Sequence, residues 1–144
     1  MSRSGALAQI DTLLSAISDP AFVAVYRGEP LSLSGTPVLA FWLTGRTNDF
    51  ETLGDIGSRV SVMVRAYFRM QDSADVRESI EEEVWDAMYQ IDSQLRSDAD
   101  LGGNVTDSSV GAATVGYQNM SGGVFRTVTI PYEMELLGEV TITP

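Results

Sequence analysis

A chain of 144 residues has room for one hydrophobic core, because a domain of this size buries about two-thirds of the surface its unfolded chain exposes. An apolar content of 44% argues against disorder, and the absence of cysteine and histidine removes disulfides, thiolate chemistry, the commonest metal ligand and the commonest general base. A net charge of −11 disfavours binding to a phosphate backbone, which draws its affinity from cationic side chains.

The first 18 residues carry Leu7, Ile10, Leu14 and Ile17 at helical spacing. Asp19-Pro20 ends that helix, since the residue before a proline avoids the α region. The opening MSRSGALAQI has no continuous apolar stretch of the signal-peptide kind, so synthesis inside the cell is expected. Residues 22–26 are rich in β-formers and stop at Gly28 and Pro30. A short apolar run, Val38 to Leu43, suits a buried strand; it is far shorter than the roughly 20 residues a membrane span requires, and no membrane association is expected. Residues 45–57, GRTNDFETLGDIG, read as an acidic, glycine-rich loop of the long kind that serves function.

Residues 58–69 alternate cleanly. Val60, Val62, Val64, Ala66 and Phe68 share one face, while Arg59, Arg65 and Arg69 lie on the other and are expected to meet carboxylates. A second helix follows with Asp72 or Ser73 as its N-cap and an apolar stripe of Val76, Ile80, Val84, Ala87, Met88, Ile91 and Leu95. Its acidic residues, Glu81, Glu82, Glu83, Asp86 and Asp92, spread over the remaining surface, and Gly102-Gly103 breaks the helix. Two further strands are expected: residues 110–117, turned at Ser121–Gly123 into residues 125–137, with Val128, Ile130, Tyr132, Met134 and Leu136 on one face. Residues 138–144 read as a β-prone tail that adds an edge strand or reaches another subunit. The order α-β-β-β-α-β-β gives an α+β domain over residues 1–144: a mixed or antiparallel sheet of about five strands with two helices on one face.

Chemistry-bearing patterns are weak. Asp98 and Asp100 stand at the first and third positions of a calcium loop with Gly103 at the sixth, but Gly102 and Ser109 replace the ligands at the fifth and twelfth, so a helix-terminal turn is the better reading. Glu81, Glu82 and Glu83 are adjacent on a helix and point apart, which does not make a catalytic pair. Asn104-Val-Thr106 and Asn119-Met-Ser121 match glycosylation acceptors without a secretion signal. Trp42 and Trp85 read first as core residues, and second as anchors of a subunit contact. No catalytic residue, cofactor or metal is expected.

The strand RVSVMVRAYFR, the helix ESIEEEVWDAMYQIDSQL and the turn SDADLGGNV, together spanning Arg59 to Val105, resemble the tail terminator (tail completion) proteins of long-tailed bacteriophages. The late strand from Phe125 to Leu136 looks like that family's closing strand, and the likeness covers most of residues 4–137. The resemblance implies a virion protein, assembled in the host cytoplasm, whose copies form a ring, usually a hexamer, on the head-proximal end of the tail tube. Its implied partners are itself, the tail tube protein and a neck or head-completion protein, with DNA passing through the ring without specific binding. An acidic lumen would repel phosphates and let DNA slide. The candidate interface and lumen residues are Arg46, Asn48, Asp49, Phe50, Glu51 and Asp55 of the acidic loop, Arg59 and Arg65 of the alternating strand, and Glu82, Glu83 and Asp86 of the second helix. The alternatives are another neck or tail tube ring protein, or a small acidic ligand-binding domain.

Overall fold

The computed structural model describes residues 3–52, 55–71 and 73–141. In chain order its elements are α1 (Arg3–Ser15), β1 (Ala24–Arg27), β2 (Val38–Thr52), β3 (Asp55–Arg69), α2 (Ala74–Arg96), β4 (Asp107–Val110), β5 (Thr114–Met120) and β6 (Gly123–Thr141). The fold is α+β, with two helices on one face of a mixed six-stranded sheet.

The helices form where the apolar spacing requires them. In α2 the Ser73 side chain accepts from the Val76 N–H, and Ile80, Val84, Ala87, Ile91 and Leu95 are buried along one stripe. The alternative cap, Asp72, lies outside the described residues. In α1, Ala6, Ile10 and Leu14 are buried. The helix closes at Ser15, before the expected Asp19-Pro20 boundary, and Ile17 enters the core from the turn beyond it. Gln94 Nε2 donates to the Leu13 carbonyl at 2.8 Å and locks the two helices together.

The sheet runs β1-β2-β3-β6-β4, with β5 also paired to β6. β1 is parallel to β2, and every other pairing is antiparallel. The helix-facing side of β3 buries Val60, Val62, Val64, Ala66 and Phe68, and the expected face of β6, Val128 through Leu136, meets it in one core. The opposite face of the sheet holds a smaller cluster of Leu33, Val38, Ala40, Tyr67 and Phe125. Burial pushes the Tyr67 hydroxyl pKa up, against the opposing influence of Arg65.

Three expectations are corrected. Residues 45–57 are not a loop: β2 and β3 pair from Val38↔Tyr67 out to Thr52↔Asp55, with Leu53 and Gly54 outside the described residues. Alternation is broken there by bulges at Leu43/Gly45 and Asn48/Phe50, which hide a strand from a period-two reading. Residues 110–117 are not one strand. β4 stops at Val110 and β5 starts at Thr114, because both lie against β6 and Pro131 has no N–H to offer the strand opposite. Finally, residues 138–141 are not a separate tail, since β6 continues to Thr141 and pairs with Asp55 of β3, while residues 142–144 lie outside the described part.

Candidate functional site

The residues singled out in the sequence fall in three places, not one. Arg46 sits on β2 opposite Val60, and its Nη2 donates to Ser58 Oγ at 2.8 Å. Asn48, Asp49, Phe50, Glu51 and Asp55 belong by backbone to the same β2–β3 hairpin, and their side chains lie outside the described part.

Arg59 and Arg65 stand on the face of β3 turned away from the helices. Arg59 bridges to Glu133 at 3.2 Å and Glu135 at 3.0 Å on β6, as expected of an arginine on that face. Arg65 meets no carboxylate among its described partners. Its guanidinium lies 5.3 Å from the centre of the Trp42 ring and donates to Thr129 Oγ1 at 2.9 Å and Gln118 Oε1 at 3.0 Å. The planar fork of arginine suits this combination of stacking and paired donation. Trp42 is half-buried, so its expected core role is met in part.

The acidic residues of α2 divide between two flanks. Glu83 has its carboxyl pKa raised above its ordinary value, first by burial and then by the charges of Asp19 and Asp86. Glu82 and Asp86 are exposed one turn apart, beside Glu78 and Trp85. Trp85 is 72% exposed, which corrects its reading as a core residue. Its neighbour one turn on, Tyr89, is 67% exposed.

Helical spacing places these two aromatics on one exposed flank, a signal the apolar stripe beside them masks. Trp85, Tyr89, Asp92 and Arg96 fall at successive helical turns beside the apolar stripe, a flank that no strand covers. Together with Met88, Ile130 and the Val110–Ala113 connection they line an open groove of about 500 Å3. One end is closed by Arg96, whose Nε binds Asp92 at 2.9 Å and whose Nη2 donates to the Val110 carbonyl at 3.3 Å.

The turn after α2 is structural. Asp98 Oδ1 accepts from the Gly102 N–H at 3.1 Å, and Gln9 Nε2 donates to Oδ2 at 3.0 Å, so the carboxylate that would bind calcium instead closes a loop in which Leu101, Gly102 and Gly103 have positive φ. The Gly102 N–H is the main cause holding the Asp98 pKa below its ordinary 3.8. No group of three acidic residues is placed to hold a metal among the described residues. No helix there is long and apolar enough to cross a membrane. No protein-family model matches the chain, and no curated protein does either.

Proposed function

We propose that the chain is a structural subunit of a viral tail: copies form a ring on the head-proximal end of the tail tube, stop its growth and present the surface to which the head docks. The observation that carries this reading is the arm built by β2, β3 and β6. Val60 is the last core residue of β3, yet pairing continues through Ile56↔Val140 and Asp55↔Thr141 on one side and Thr52↔Asp55 on the other. Leu136, opposite Ser58, is the last core residue of β6, so at about 3.3 Å per residue the ribbon from Ser58 to Asp55 reaches some 10 Å beyond the helix-covered body. A narrow ribbon has little core of its own and gains stability by packing on something else, which a neighbouring subunit or tube provides.

Charge supports the same reading. A net −11 gives the ring a repulsive field towards DNA, which keeps a threaded duplex from sticking to the channel.

The test is native mass and negative-stain imaging of the purified protein, alone and with assembled tail tubes. A closed ring at one end of each tube is the expected result. Decoration along the tube, or insertion into it, would make the chain a tube component, and a protein that ignores tubes altogether would sink the proposal.

A further inference from the structure

Nine large apolar side chains stand exposed among the described residues, and five of them gather on one flank: Trp85, Tyr89, Val115, Tyr117 and Val124. The register explains why. Val115 pairs with Val128, which is in the main core, and Tyr117 pairs with Arg126, which reaches α2, so these β5 side chains point to the helix side. α2 does not extend over them. The flank therefore has a helix wall carrying Trp85 and Tyr89, the groove of about 500 Å3 beside them, and an aromatic strand beyond.

Charge decides what fits. Of the arginines nearby, Arg96 is engaged with Asp92, and Arg126 with Glu81 at 2.8 Å while it lies 4.5 Å from the centre of the Tyr117 ring; Arg77, one turn before Glu81, is exposed. Glu78, Glu82 and Asp86, around Trp85, make no ion pair among the described residues. The patch is thus apolar at its centre with a net negative rim, where Glu78, Glu82 and Asp86 outnumber Arg77, the arrangement of an interface hot spot with a steering border. A second copy of this chain, presenting the same flank, would bring these carboxylates against each other.

We propose that this flank docks a segment of a different protein that combines an apolar or aromatic anchor, seated in the groove beside Trp85 and Tyr89, with lysines or arginines that meet Glu78, Glu82 and Asp86. The flank would serve such a partner whether the chain sits in a ring or acts alone.

The probe is a short synthetic peptide alternating arginine and leucine, compared with its charge-reversed counterpart in which glutamate replaces arginine. In a Trp42→Phe background the only tryptophan is Trp85, and its emission reports occupancy directly. The arginine peptide is expected to shift that emission saturably, and added salt should weaken its binding. Measured by calorimetry, Trp85→Ala should weaken binding at least about tenfold, the loss expected of an exposed aromatic hot spot. Glu82→Gln with Asp86→Asn should weaken it without changing the melting temperature of the free protein. Equal binding of both peptides, no binding of either, or affinity untouched by Trp85→Ala would overturn the proposal. Concentration-dependent self-association abolished by Trp85→Ala would also overturn it, by giving the flank to a second copy.

Discussion

Asp98 illustrates how one carboxylate can be read for two purposes. Its spacing to Asp100 and Gly103 suggests an ion, while its hydrogen bonds to Gly102 and Gln9 make it the clasp of the turn that returns the chain from α2 to the sheet. Because its folded pKa lies below the ordinary 3.8, its contribution to stability is complete above that value and is lost as pH falls through the folded one. Asp98→Ala should therefore cost about 1 kcal/mol at neutral pH, a typical hydrogen-bond loss. Urea titrations of both proteins across acidic pH should show the difference shrinking as the wild-type carboxyl protonates; a gap that persists unchanged at the acid end would contradict the assignment. Glu83 has the opposite sign. Its raised pKa means that the native state holds the proton more tightly, so this group's effect turns against the fold as pH rises above the usual carboxylate range.

Among the elements, the break between β4 and β5 shows what periodicity misses. Residues 110–117 read as one β-rich run despite Gly111-Ala-Ala113 at its middle, but the residue opposite them decides their pairing, and that residue is Pro131. Gly111 makes the crossing, donating its N–H to the Pro131 carbonyl at 2.7 Å. A Cβ at position 111 would lie 2.6 Å from Pro131 Cγ and 3.2 Å from the Pro131 carbonyl oxygen. Gly111→Ala should thus cost roughly 1–3 kcal/mol through overpacking. The same change should open the groove wall, visible as altered amide shifts at Ala112 and Ala113; a neutral melting temperature would mean the connection yields. The two helices and the core faces of β3 and β6 were readable because burial there follows the local period. The β2–β3 arm was not, since glycines, acidic residues and two bulges imitate a loop along a stretch whose pairing is entirely non-local.

For the molecule as a whole, the proposed ring assigns body and arm separable tasks. The main core runs from Ala6 to Leu136 and draws on both helices and the sheet; towards the hairpin it reaches Val60 on β3 and, opposite Ser58, Leu136 on β6. Replacing residues 49–56 by a two-residue Asn-Gly turn, which suits a tight hairpin, should leave a folded body with near-native thermal stability. The same replacement should abolish ring formation on tail tubes. Loss of the fold itself would show that the arm belongs to the core, and intact rings would remove it from the proposed interface. The candidate residues named from the sequence scattered over arm, outer sheet face and α2 for a related reason. Charge and exposure can be guessed from one chain, but which side of a sheet a strand presents depends on partners far along the sequence, and Trp85 is in water only because no strand reaches over it.

β6 lies inside the sheet, with β3 on one side and β4 and β5 on the other. It is also the last strand to be made. A nascent chain ending before Phe125 would hold both helices and the whole of β3, but that strand's second hydrogen-bonding edge would be bare and the apolar undersides of the helices would face a half-built layer. Docking of the body must then wait until the stretch up to Leu136 has cleared the ribosome, and the sheet closes around β6 in a late, cooperative step. The strand that both flanks of the sheet need is thus the one supplied last.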